Sequence, residues 1–187
     1  MYFHGNAEDL GRTQDFLKCL QRYLQVHIIA PEYPGYGIYP GSATEQGIIE
    51  DADSVFKFLT DTIGWHEDDI IMCGRSIGAG PACHLASRHN PSALLLVSPP
   101  MSIKGVVGSI LGSWSKFLVK ERFNNLEAIK LVSCPTFLLH GKKDGIVPWT
   151  HSDALCQNCG GPTMLLLSEA MDHNSFDFME DLVKPFA

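Results

Sequence analysis

The chain has 187 residues, of which 45% are apolar and 19% charged. That is globular composition, and a chain of this length buries about 70% of its unfolded surface, enough to fold without disulfide or metal staples. Lys and Arg number 14 against 21 Asp and Glu, a formal charge of −7. With no basic block, nucleic-acid binding is excluded, because neutralising phosphates takes clustered cations. No run approaches the roughly 18 apolar residues of a membrane span.

In chain order, a short strand at Met1–Phe3 leads into His4-Gly5 and a helix over Ala7–Leu24. A strand at Val26–Ala30 ends in Pro31–Gly41, with three prolines and three glycines, a dense loop at a strand's carboxyl end. A helix over Glu45–Ile63 precedes a strand at Ile70–Cys73 and a helix over Ile77–Ser87. Strand Ala93–Val97, helix Ser102–Val119, strand Thr136–His140, helix His151–Cys156, strand Thr163–Leu167 and helix His173–Phe186 complete the alternation. Most of these strands are apolar at every position, as in strands covered on both faces. The expectation is an α/β fold with a mostly parallel sheet flanked by helices on both faces, as one domain spanning 1–187.

Six cysteines, Cys19, Cys73, Cys83, Cys134, Cys156 and Cys159, are irregularly spaced, and the opening residues have no signal-peptide character. They read as reduced thiols in the cytoplasm. Cys156 and Cys159 form a lone CxxC without a second pair, so no metal and no cofactor is expected.

Gly74-Arg75-Ser76-Ile77-Gly78 sits between an apolar strand and a helix. A G-x-S-x-G turn in this context lifts the serine hydroxyl above the sheet and places it at a helix N-terminus, where the dipole favours developing negative charge. A neutral serine is a poor nucleophile and needs a base, which in turn needs an orienting acid. Downstream the chain offers His140, His151 and His173, with Asp144, Asp153, Glu169 and Asp172 as acids. Asp144 follows the strand Thr136–His140, and His173 follows the strand Thr163–Leu167. Both therefore fall on loops at the sheet edge that carries Ser76. Singly, an Asp in a turn or a His before a helix is usually structural. Together, in this order and each after a strand, they are the expected acid and base. His140 is expected to be a satisfied polar group below the site, and His27 to lie inside a strand.

Acyl transfer also needs donors for an oxyanion. The N–H of Ile77, just after the nucleophile, is one. The N–H of Asn6, after His4-Gly5, is assigned as the second. After Ser98-Pro99-Pro100, the residues Ile103, Val106, Val107, Ile110, Leu111, Trp114, Phe117 and Leu118 form one apolar helical stripe. That segment, within 101–130, is either a helix packed on the sheet or a movable cap lining an acyl groove.

The motifs His4-Gly5-Asn6-Ala7, Tyr33-Pro34-Gly35-Tyr36-Gly37, Gly74–Gly78, Cys134-Pro135, His140-Gly141 with Asp144, and His173-Asn174 resemble the α/β-hydrolase superfamily. More narrowly they resemble its Bem46-like branch, which includes depalmitoylating α/β-hydrolase-domain proteins. The resemblance implies a triad of Ser76, Asp144 and His173 with Asn6 and Ile77 at the oxyanion. Against that family's pattern, the sheet is expected to lack its first strands, and the cysteine-rich membrane-anchoring segment is expected to be absent. The expected function is a serine hydrolase of carboxylic esters or thioesters, acting on a small molecule or an acylated protein. No transmembrane segment is expected, and peripheral membrane contact stays open. Two alternatives remain: a serine peptidase of the prolyl-oligopeptidase clan, and a non-catalytic binding module with a shortened hydrolase fold.

Overall fold

The structure, a computed structural model, describes residues 1–111 and 120–184. Among these, five parallel strands form one sheet in the order β1 (Tyr2–Phe3), β2 (Ile71–Arg75), β3 (Ala93–Val97), β4 (Thr136–Gly141) and β5 (Thr163–Ser168). Helices α1 (Leu10–Leu24), α2 (Glu45–Lys57), α3 (Ala79–Ala86), α4 (Ile103–Leu111), α5 (Asn125–Ile129) and α6 (Thr150–Asn158) lie between strands. Single π-helical turns occur at Phe58–Ile63 and at Phe178–Val183.

Neighbouring strand residues point to opposite faces, and each face builds its own core. Leu94, Leu96 and Leu138 pack with Phe56 of α2, Leu85 of α3, Ile129 of α5 and Leu155 of α6. Val97 and Leu139, one residue further along, pack with Leu20 of α1 and with Met171 and Phe176 near the carboxyl end. The sheet is thus covered on both faces, although Met164 and Leu166 of the edge strand β5 remain exposed. In register, Arg75 lies opposite Val97, Val97 opposite Leu139, and Leu139 opposite Leu166. The strands therefore end side by side, and the loops that leave them share one rim.

Three expectations change. Val26–Ala30 forms no strand; its bond to the sheet runs from Tyr2 N–H to Ile29 O at 2.8 Å, because the two-residue β1 offers almost no ladder to pair with. His27 is accordingly exposed and lies in no strand. Helix α1 starts at Leu10 rather than Ala7, since Ala7 has φ 59° and Asp9 caps the helix by accepting from Arg12 N–H at 2.8 Å. The last helical turn starts at Phe178 rather than His173. Asp172 Oδ1 accepts the N–H groups of Asn174 and Ser175 in a tight turn, and Asp177 caps the helical turn that begins at Phe178. Helix α4 covers the first half of the expected Ser102–Val119 helix; the rest, with Trp114, Phe117 and Leu118, lies outside the described residues.

Candidate active site

The bend after β2 is built by its glycines. A Cβ at Gly78 would stand 2.2 Å from the Phe3 carbonyl oxygen, and one at Gly74 would stand 2.5 Å from that of Gly78. Ser76 between them has φ 52°, a left-handed conformation that costs a non-glycine residue on the order of 1 kcal/mol or more. A short 3₁₀ turn, Ser76–Gly78, runs into α3. This places Ile77 in the turn that opens α3, where backbone N–H groups lack intrahelical partners.

The structure brings the three residues expected from the sequence together. Ser76 Oγ is 3.0 Å from His173 Nε2, and His173 Nδ1 is 2.6 Å from Asp144 Oδ2. The N–H at Nδ1 donates to the carboxylate, which leaves Nε2 free to accept the serine proton. Asp144 is fully buried at its side chain. Its Oδ1 accepts the N–H groups of Ile146 at 2.9 Å and Val147 at 2.8 Å. Burial by itself raises the Asp144 carboxyl. The hydrogen bonds from His140, His173 and the Val147 N–H, with the His173 charge, outweigh it and hold the group well below the usual carboxylate range.

His140 is the buried polar group expected beneath the site. Its Nδ1 is 2.6 Å from Ser152 Oγ, and its Nε2–H donates to Val147 O at 2.8 Å while lying 3.2 Å from Asp144 Oδ2.

The turn carrying Asn6 is braced from the proline- and glycine-rich loop. His4 is buried, with Nε2 2.8 Å from Glu32 Oε1 and its ring stacked 4.1 Å from that of Tyr33. Tyr33 Oη donates to His4 O at 2.9 Å. Tyr36 Oη donates to Asn6 Oδ1 at 2.7 Å. Burial, then the nearby Glu32 charge, push the Tyr36 phenol up, which keeps that donor protonated.

Ser76, Asn6, Ile77 and His173 all line one pocket of about 640 Å³, within the roughly 300–1,000 Å³ of small-molecule sites. Ile103, Val106 and Val107, the first part of the apolar stripe, line it too, with Phe123 and Ile146. Helix α4 is tied down by buried His151, whose Nδ1 accepts from Met101 N–H and whose Nε2 is 3.0 Å from Ser109 Oγ. A second hollow of about 600 Å³, beside Leu24, Trp65 and Ile71, contains none of the candidate residues.

Sequence reasoning missed Arg75 and Glu8, which touch the same loops, and the bracing roles of Glu32, Tyr36 and His151. Arg75 occupies the unconstrained second position of the serine motif, so the motif itself carried no signal for it. Among the described residues, no group of three or more His, Cys, Asp or Glu is placed to hold a metal ion. No helix among them is long and apolar enough to cross a membrane.

No protein-family model matches the chain. It is 31% identical over 177 residues to the alpha/beta hydrolase domain-containing protein aho-3 of Caenorhabditis elegans, an alignment covering 95% of this chain and 52% of that protein. It is 29% identical over 177 residues to alpha/beta hydrolase domain-containing protein 17B of Homo sapiens, covering 95% and 60%. The chain thus spans between half and two thirds of these relatives' lengths. Among solved structures, an esterase of Pyrococcus furiosus superposes with a TM-score of 0.80 at 18% identity, over 99% of this chain and 78% of that one. An alpha-beta serine hydrolase homologue from Coxiella burnetii gives 0.68 at 18%, over 98% and 79%. The chain thus has the α/β-hydrolase fold, and the curated relatives it aligns with are alpha/beta hydrolase domain-containing proteins.

Proposed function

We propose that the chain is a serine hydrolase of carboxylic esters or thioesters. The observation that carries this reading is the hydrogen-bonded line Ser76–His173–Asp144 opening into a largely apolar pocket. In the proposed reaction Ser76 Oγ attacks the acyl carbon as its proton passes to His173 Nε2. Asp144 holds the imidazole by Nδ1 and stabilises the imidazolium. The negative charge on the former carbonyl oxygen is met by the N–H groups of Asn6 and Ile77, each worth about 2.7–4 kcal/mol in such a role. The imidazolium returns its proton to the departing alkoxide or thiolate. Water then attacks the acyl-serine with His173 again as base, releasing the acid.

The apolar wall from Ile103 to Val107 suits an acyl chain, borne by a small molecule or by an acylated protein. Six cysteines, all free, fit a reducing, cytoplasmic setting. A fluorophosphonate probe tests the nucleophile: labelling is expected at Ser76 and lost in Ser76→Ala. An unlabelled Ser76 beside a reacting control hydrolase would sink the reading. Turnover of p-nitrophenyl esters and acyl thioesters against peptide anilides tests the substrate class, and faster anilide cleavage would replace it with a peptidase.

A further inference from the structure

Arg75 precedes the proposed nucleophile and is buried, 8% exposed. One guanidinium nitrogen, Nη1, is ion-paired with Glu8 Oε1. The other, Nη2, donates to the backbone carbonyl of His173 at 2.9 Å and reaches Asn174 Oδ1 at 3.3 Å. The cation also lies over the Phe176 ring, 5.9 Å from its centroid. The second oxygen of Glu8 accepts the N–H of Gly5 at 3.0 Å. A continuous line of charge-assisted bonds therefore runs from the Gly5–Glu8 turn through Arg75 to the loop of His173. Those two loops leave different strands, and nothing in the sheet's own hydrogen bonds fixes one against the other.

We infer that Arg75 and Glu8 are positioning residues which clamp the His173 loop and the Asn6 turn to the Ser76 bend, setting base and oxyanion donors in mutual register. The inference rests on the serine-hydrolase reading above and adds to it the source of the alignment. A guanidinium suits the task because its planar fork serves two acceptors in different directions at once, which an ammonium on a flexible stem does not hold in fixed geometry. Buried charge without its partner is costly, so the two residues act as one unit. Neither touches the reacting atoms; both act by placement, where an error of about 1 Å costs on the order of a hundredfold in rate.

The test compares wild type, Arg75→Lys, Arg75→Ala and Glu8→Gln on a p-nitrophenyl ester, with thermal unfolding of each. Arg75→Lys and Glu8→Gln, the mildest changes, carry the test if Arg75→Ala fails to fold. Both are expected to lower kcat about tenfold or more with KM within about twofold. For Arg75→Ala, added methylguanidinium is expected to restore part of kcat, a rescue that a purely structural role would not give. The paired variant Arg75→Ala with Glu8→Ala is expected to lose little more than Arg75→Ala alone. Full kcat in both mild variants, or a lowered Tm at unchanged kcat, would overturn the clamp. Fluorophosphonate labelling of wild-type Ser76 separates the cases: if wild type is inert, the hydrolase reading fails, and if it labels while the variants label equally fast, only the clamp does.

Discussion

His140 lies 3.2 Å from Asp144 Oδ2, the carboxylate oxygen on which His173 also rests at 2.6 Å. One buried carboxylate is thus held from two imidazoles, only one of which faces the pocket. His140→Phe removes a donor while keeping a ring. The kcat of the ester reaction is expected to fall about tenfold or more, as a hydrogen bond to a charged group is worth about 1.5–3 kcal/mol. Unchanged steady-state kinetics would make His140 a packing residue.

The same carboxylate sets a pH dependence. Its native pKa is lowered relative to the unfolded value of about 3.9. Folding therefore favours the ionised form, and this contribution is fully present above about pH 4 and fades as pH falls below it. The stability gap between wild type and Asp144→Asn, from urea unfolding between pH 3 and 7, is expected to narrow at the acid end. A gap that stays constant or widens there would contradict the assignment.

Ser76 adopts φ 52°, which glycine tolerates without strain. Ser76→Gly is expected to abolish esterase activity yet stabilise the fold by about 1 kcal/mol, raising Tm by about 2–4 °C. Differential scanning calorimetry reads this directly, and a fall in Tm would show that the bend stores no strain.

Gly78 faces the Phe3 carbonyl oxygen, where a Cβ would stand 2.2 Å away, whereas a Cβ at Gly145 meets nothing within 4 Å. Gly78→Ala is expected to destabilise by about 1–3 kcal/mol through overpacking. Gly145→Ala should stay within about 0.5 kcal/mol of wild type. Equal denaturation midpoints for the two variants would refute the close packing of the bend on β1.

Val106 lines the pocket from α4. Val106→Trp is expected to lower the octanoate-to-butyrate ratio of kcat/KM about tenfold, since pocket volume discriminates methylenes by about 1–3 kcal/mol. An unaltered ratio would detach the apolar stripe from acyl selection.

What the sequence disclosed and what it hid divide along physical lines. Ser76, Asp144 and His173 were legible because each follows a strand whose apolar run is a strong local signal, and because parallel strands must end at one rim. Their spacing of 3.0 and 2.6 Å was not legible, since it depends on contacts between residues far apart in the chain, such as Arg75 with the His173 carbonyl, 98 positions away. The strand expected at Val26–Ala30 failed because its apolar run says nothing about whether a neighbour exists to pair with. The helix expected from His173 failed because two aspartates, Asp172 and Asp177, bend and then cap the backbone, a side-chain effect that outweighs apolar periodicity. Helix α5 was missed because five residues are too few to show a period.

The sheet is laid down in the order of its strands, each new one beside its predecessor. While the ribosome is still elongating, the nascent molecule always presents its most recent strand as an open edge, the surface that chaperones guard. Ser76 is synthesised 97 residues before His173. Under the proposed reaction, a product that stops between them would carry the nucleophile without its base.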